Sequence, residues 1–218
     1  MSGSAVRAVG LTRRFGRRWA LRGVDFEVER GEACALLGAN GTGKTTLLRV
    51  LATLLRPTTG TVEVLGLDVG AGGDAIRRRA GLMPPAGHAY EELTGLENLR
   101  FAARMAGAPA DERGLREALD AVGLAEAAEE PSRAYSTGMR KRLELARMCL
   151  RPLDLVLLDE PFTSLDEAGV ELVQDAIAAW SAAGATVVVA SHRVDDALRR
   201  ADRVVRLERG RVLPGADR

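Results

Sequence analysis

The residues Gly38-Ala39-Asn40-Gly41-Thr42-Gly43-Lys44-Thr45-Thr46 constrain this chain more than any other stretch. They follow the apolar run Ala33-Cys34-Ala35-Leu36-Leu37, which reads as a buried strand, and precede Leu47-Leu48-Arg49-Val50-Leu51-Ala52, the first turns of a helix. A glycine loop ending in Lys-Thr between a strand and a helix is built to hold phosphate. The glycines let the backbone wrap closely and aim successive N–H groups at one point. The helix N-terminus adds its partial positive charge. Lys44 is placed to reach the β- and γ-phosphates of a nucleotide, and Thr45 to offer its hydroxyl to Mg²⁺. Lysine usage sharpens this reading. Only Lys44 and Lys141 occur among 31 basic residues, so a lysine at this position is unlike an accident of composition. A glycine-rich turn that happens to contain Lys-Thr is the bland alternative, and the strand–helix setting counts against it.

A length of 218 residues, 46% of them hydrophobic, supports one full core with room for a smaller lobe. The net charge of +1 sets up no strong field toward nucleic acid or an acidic surface. Cys34 and Cys149 lack metal-ligand spacing and read as buried, reduced thiols of a cytosolic protein. Met1-Ser2-Gly3-Ser4-Ala5 carries no apolar signal segment, and no stretch approaches the ~18–20 uninterrupted apolar residues of a membrane span. The expectation is a soluble chain whose membrane role, if it has one, runs through a partner.

Along the chain, Ala5–Val9 and Trp19–Val28 read as short strands, with Phe15 on a loop between them. A loop aromatic there is either a stacking platform for an adenine ring or a ring tucked into the core. Arg56–Gly60 turns the chain, Thr61–Gly66 is a strand, Gly70–Gly73 a loop, Asp74–Arg79 a short helix, and Gly81–Pro85 a strand stopped by prolines. Glu91–Leu150 is mostly helical, with a capping box at Thr94/Glu97, a cap at Asp111 and a stop at Gly123. Leu153–Asp159 is an apolar strand ending in Asp159-Glu160, at the end of an open α/β sheet where ligands gather. Asp159 suits Mg²⁺, usually through water, and Glu160 would lie beside a γ-phosphate and orient or deprotonate a water. After a helix over Gly169–Ala183, the strand Gly184–His192 again ends in a polar residue, and His192 is assigned to the γ-phosphate. Val204–Val212 closes as a hairpin.

Tyr135-Ser136-Thr137-Gly138-Met139-Arg140-Lys141-Arg142 resembles the signature loop of ATP-binding cassette (ABC) transporter ATPases, usually Leu-Ser-Gly-Gly-Gln opening a helix. Tyr135 and Thr137 depart from that wording, whereas Ser136 and Gly138 keep the hydroxyl and the close-approach glycine. Ser164-Leu165-Asp166 resembles the D-loop, His192 the switch histidine, and Phe15 falls where the family stacks adenine. The resemblance covers essentially the whole chain. It implies an α/β P-loop NTPase core, a mainly parallel sheet flanked by helices, with an N-terminal antiparallel β subdomain and an inserted helical subdomain. Residues 1–85 and 151–218 would form the core and 86–150 the helical part of a single domain. ATP and Mg²⁺ are the implied cofactors: Lys44, Glu160 and His192 for catalysis; Phe15, Gly38, Asn40, Gly41, Thr42, Gly43, Lys44, Thr45, Thr46, Ser136, Gly138 and Asp166 for nucleotide; Thr45 and Asp159 for the metal.

The resemblance also implies partners. Two subunits, identical or different, pack head to tail with each ATP between the phosphate loop of one and Ser136 and Gly138 of the other. The cycle drives a separate membrane-spanning subunit, against which the helical subdomain and the loop at Pro85–Glu92 would dock, so the chain would sit peripherally on the inner face of the cell membrane. One departure stands out: where the family carries a metal-coordinating Gln, this chain has Pro85, with a water or His88 as substitutes. Weaker Mg²⁺ binding is the expectation. Pro161–Val170 and the Arg/Ala-rich helices are similar to the ATPase subunit of the bacterial haem exporter of cytochrome c maturation. The rival readings are a soluble ABC-type ATPase acting on nucleic acid or ribosomes and a small P-loop kinase or GTPase. The first lacks its usual insertions here, and the signature loop argues against the second.

Overall fold

The computed structural model describes residues 3–86 and 89–213. The chain divides into two compact units: Met1–Leu82, Leu153–Glu160 and Ile177–Arg218 in one, Met83–Pro152 and Pro161–Ala176 in the other.

The first unit holds two sheets. Strands β1 (Ser4–Phe15), β2 (Arg18–Glu29), β4 (Thr59–Val64) and β5 (Leu67–Asp68) form an antiparallel sheet in the order β2-β1-β4-β5. Strands β3 (Ala33–Leu37), β6 (Ala80–Met83), β7 (Leu155–Asp159), β8 (Thr186–Ser191), β9 (Arg203–Glu208) and β10 (Arg211–Val212) form a second sheet in the order β10-β9-β3-β8-β7-β6. In it β9, β3, β8 and β7 run parallel and β10 turns back along β9. Every residue of β3, β7 and β8 is buried, which is why these strands read as continuous apolar runs rather than alternating ones. Helix α1 (Lys44–Leu51) packs its Leu47, Leu48, Val50 and Leu51 into the same core as Leu36, Leu157 and Val188. Helix α2 (Gly73–Arg79) is short and amphipathic, with Ile76 buried and its arginines outward.

The second unit is helical: α3 (Gly95–Ala106), α4 (Glu112–Asp120), a 3-10 turn at Ser132–Ala134, and α5 (Thr137–Cys149). The helix α6 (Glu167–Ala182) begins in it, and α7 (Val194–Leu198) follows β8 in the first unit. Two caps lie where local sequence placed them: Thr94 and Glu97 form a reciprocal capping box, and Asp111 accepts from Gly114 N at 3.0 Å. The structure adds a third, Ser136, which accepts from Met139 N at 3.1 Å. Each satisfies donors that the first helical turn leaves without partners.

Two sequence expectations change. Phe15 is the last residue of β1 rather than a loop residue: Gly16, at φ 55°, and Arg17 close a two-residue turn, and Phe15 pairs with Arg18 across it. Glycine supplies the positive φ that such a tight hairpin needs, so the strands run to its very edge. Cys149 is exposed on the last turn of α5, whereas Cys34 is buried as expected; neither is in a disulfide. The helical run around Cys149 turns its apolar face to Leu145, Ala146 and Met148, leaving the cysteine outside it. His88, proposed as a stand-in for the missing Gln, lies outside the described residues. Among the described residues no helix is long and apolar enough to cross a membrane.

Candidate functional site

The ends of β3, β7 and β8 are neighbours in one parallel sheet, and the groups that chemistry requires stand there. After β3 the chain loops tightly into α1. A Cβ on Gly38 would collide with the Leu207 carbonyl oxygen and come within 2.8 Å of Thr42 Oγ1. Gly43 has φ 115°, and a Cβ on it would stand 2.7 Å from Ala20 O. Only glycine permits that backbone path: a Cβ would run into backbone oxygen at either position, and Gly43 also has a left-handed φ, which together exclude alanine despite the greater entropy that glycine loses on ordering. Thr42 Oγ1 donates back to Ala39 O at 2.9 Å, which holds the loop closed.

Lys44 is 5% exposed and folds back over its own loop, donating to Gly38 O at 2.6 Å and Ala39 O at 3.2 Å. Its Nζ also lies 3.1 Å from Glu160 Oε1. The other oxygen of Glu160 is 2.8 Å from Nδ1 of His192, 3.3 Å from the His192 backbone N and 3.4 Å from Ser191 Oγ. A carboxylate accepts only, so Nδ1 of His192 carries the proton in this pair and Nε2 is left for another partner. Glu160 has φ 52° although it bears a side chain, and its N–H donates to Ala190 O at 2.8 Å. This left-handed turn costs on the order of 1–2 kcal/mol. It swings the carboxylate off the strand axis, and backbone strain of this kind gathers where function demands a placement.

Asp159 is 2% exposed, and its Oδ1 has no hydrogen-bond partner. Burial pushes its carboxyl up from the ordinary range; a hydrogen bond with the Thr45 hydroxyl opposes that shift, the charge of Glu160 adds to it, and Lys44 opposes it. A buried, half-satisfied carboxylate beside a hydroxyl at the mouth of a phosphate loop is the donor set that a hard cation takes. Among the described residues no cluster of three or more His, Cys, Asp and Glu exists. A cation here would therefore draw the rest of its shell from phosphate oxygens and water, as Mg²⁺ does.

The helical unit carries a second group. Ser136 and Thr137 are exposed at the tip of α5, and a Cβ on Gly138 would come within 3.1 Å of Ser164 O, so the two loops abut at a glycine. Asp166 accepts from Arg142 Nη2 at 2.6 Å and from Gly169 N at 2.9 Å, so it caps α6 and is tied to α5. The Arg142 hydrogen bond first, then the Gly169 N–H, hold its carboxyl below the usual carboxylate range. Tyr135, the departure from the usual signature Leu, is 2% exposed, and its hydroxyl donates to Ala127 O at 2.6 Å.

Residues 21–163 match the family model described as ABC transporter. The chain belongs to the ABC transporter family. This ABC domain is 39% identical over 220 residues to the daunorubicin resistance ATP-binding protein DrrA3 of Streptomyces coeruleorubidus, covering 98% of this chain and 68% of that protein. It is 37% identical over 193 residues to the cytochrome c biogenesis ATP-binding export protein CcmA 2 of Cupriavidus metallidurans, covering 88% of this chain and 92% of the relative. Among solved structures it superposes on a dimeric ATP-binding cassette in a post-hydrolysis state bound to ADP and Pi, with a TM-score of 0.84 and 27% identity over 95% of this chain and 96% of that one. The ABC domain thus has the P-loop NTPase fold with an antiparallel N-terminal sheet, and by family it is an ATP-binding ATPase. It spans about two thirds of the length of the daunorubicin relative.

Sequence reasoning missed two groups at the ABC domain's sites. Ser191, 1% exposed, shares the Glu160 carboxylate with His192. Arg142 is the partner of Asp166. Ser191 had a signal, being the last residue of an apolar strand beside His192. Arg142 had none, since it is one of several arginines in its helix and its target lies 24 residues on.

Proposed function

We propose that this chain is one half of an ATP-driven clamp that powers a separate membrane-spanning subunit. The observation that carries the reading is the chain of contacts through Glu160, held between Lys44 at 3.1 Å and His192 at 2.8 Å beside the half-satisfied carboxylate of Asp159. A nucleotide triphosphate entering the loop takes Lys44 as the counter-charge of its β- and γ-phosphates. That frees Glu160 to accept a proton from, or orient, the attacking water. His192, steadied through Nδ1, turns Nε2 toward the γ-phosphate. Mg²⁺ would be held by Thr45 and Asp159 and would supply charge neutralisation at the phosphates. Phe15, exposed at the hairpin edge, offers a ring face to adenine.

Ser136 and the backbone at Gly138 stand at an exposed helix tip, a natural anion site. They complete the site of a second copy or a sibling chain. Closure on ATP and release after hydrolysis then shift a bound membrane partner between two states. The chain would work on the inner face of the cell membrane. Haem export in cytochrome c maturation is the cargo reading that the motifs around Pro161–Val170 support. Nothing in a phosphate-handling site selects cargo, so the membrane subunit makes that choice.

The test is ATP turnover and light scattering of native protein and of Lys44→Ala. Native protein should hydrolyse ATP and associate when ATP and Mg²⁺ are added, and Lys44→Ala should do neither. Turnover by a strictly monomeric native protein would end the clamp reading. Identification of the membrane chain that co-purifies tests the cargo reading, and capture of ribosomes or DNA instead would replace it.

A further inference from the structure

We infer that Arg18 is a phosphate-binding residue of the nucleotide site, reaching it from the β1–β2 hairpin rather than from the phosphate loop. The inference rests on the ATP reading above and adds a residue that no part of the loop motif contains.

Phe15 and Arg18 face each other across the two-residue turn. Directly opposed residues on paired antiparallel strands point to the same face, with Cβ atoms about 5 Å apart. On that face the Arg13 guanidinium lies 4.6 Å from the centroid of the Phe15 ring, and Arg13 is anchored by donation to Arg56 O at 3.0 Å. Arg13 therefore lies over one face of Phe15, and the residue stays 46% exposed. Arg18 has a different surrounding. Its Nη2 stands 3.8 Å from the point where a Cβ on Gly41 would be, over the phosphate loop. Its guanidinium makes no hydrogen bond or ion pair with the described residues.

The electrostatics point the same way. Lys44 is paired with Glu160, but Arg18 has no ion-pair partner among the described residues, and its Nη2 stands beside Gly41 of a loop built to present backbone N–H groups. Positive charge over positive dipoles is unfavourable until an anion arrives. A guanidinium fork takes two phosphate oxygens at once. Because the hairpin carries Phe15 opposite Arg18, a base stacked on Phe15 brings the phosphates nearest the ribose to Arg18. Those phosphates are present in both ADP and ATP.

The test is calorimetric binding of ATP and of ADP to native protein, Arg18→Ala, Arg18→Lys and Lys44→Ala, with thermal melts showing that each variant is folded. Arg18→Ala should weaken ATP and ADP alike by about tenfold, the scale of one charge-assisted contact, and flatten the salt dependence. Arg18→Lys should recover part of the loss. In turnover, Arg18→Ala should raise KM with kcat largely kept. Native-like affinity in Arg18→Ala, with binding lost in Lys44→Ala, would overturn the role of Arg18 and leave the ATP reading standing. A loss confined to ATP would overturn its assignment to the ribose-proximal phosphates. Native protein that fails to bind ATP, or Lys44→Ala that binds as tightly, would remove both.

Discussion

Lys44 Nζ lies 3.1 Å from Glu160 Oε1, so the cation proposed for phosphate and the carboxylate proposed for water are paired with each other. Both are nearly buried, at 5% and 13% side-chain exposure. Such a pair is costly to break from one side, because the remaining charge is stranded. It also means that the two groups become available together, when a phosphate displaces the carboxylate. Glu160→Gln keeps one acceptor oxygen, enough for Lys44 or His192 but not both, and removes the base. ATP hydrolysis should fall by roughly a hundredfold or more, ATP-dependent self-association should persist, and the nucleotide-free protein should lose about 1–2 kcal/mol in urea unfolding. Steady-state turnover beside light scattering checks the first two effects.

Asp159 gives an effect of opposite sign on stability. Its carboxyl is raised by burial, so the folded state holds its proton to higher pH than the unfolded chain does. For an acid shifted up, stability is greatest below the unfolded value and declines as pH rises through the window between the two. At neutral pH, without Mg²⁺ and nucleotide, Asp159→Asn should therefore melt above native protein, and the gain should shrink toward pH 4. The same variant should lose Mg²⁺-dependent turnover. Melting curves at several pH values, run with EDTA, separate the two effects.

Asp166 behaves in the ordinary direction. Arg142 and the Gly169 N–H depress its pKa, so the ionised form contributes stability above the unfolded value, and that contribution is lost as pH falls through the lower folded value. Asp166→Asn keeps a helix-capping side chain but loses the charge. It should be less stable than native protein at pH 7, and the two should converge as the solution is taken below about pH 4, near the ordinary carboxylate range. Denaturation midpoints across that range provide the check, and 1 M salt should narrow the gap at pH 7 because the pair is exposed.

Ser136 has a structural duty and a proposed functional one, and two variants part them. Ser136→Ala removes the acceptor for Met139 N and should cost about 1 kcal/mol. Ser136→Asp caps the helix as well as serine does and should melt like native protein. Both should abolish ATP-driven association, the aspartate through repulsion of phosphate. An Asp variant that associates normally would show that Ser136 serves its own helix alone.

Pro85 lies two residues beyond the end of β6, at the position that the resemblance assigns to a metal-coordinating Gln. Pro85→Gln should lower the Mg²⁺ concentration that half-saturates turnover. Equal Mg²⁺ curves for the two proteins would remove the idea that this departure weakens the metal site.

What was legible in the chain alone follows from local physics. The phosphate loop, the capping box at Thr94 and Glu97, the cap at Asp111, and the buried strands β3, β7 and β8 all depend on neighbours within a few residues. Capping donors, glycine geometry and apolar runs are therefore written in the residue order itself. The strand–glycine–Lys-Thr–helix order determined that a polyphosphate would be the ligand class. Tertiary structure alone decided what each charged group meets. Glu160 reaches Lys44 and His192 only because β3, β7 and β8 lie side by side in the sheet, an order the sequence numbering does not contain. Arg142 meets Asp166 across 24 residues, and Arg18 comes over Gly41 because a two-residue turn returns β2 along β1. Coulomb energy depends on distance through space and on burial, and neither is a property of a position in the chain.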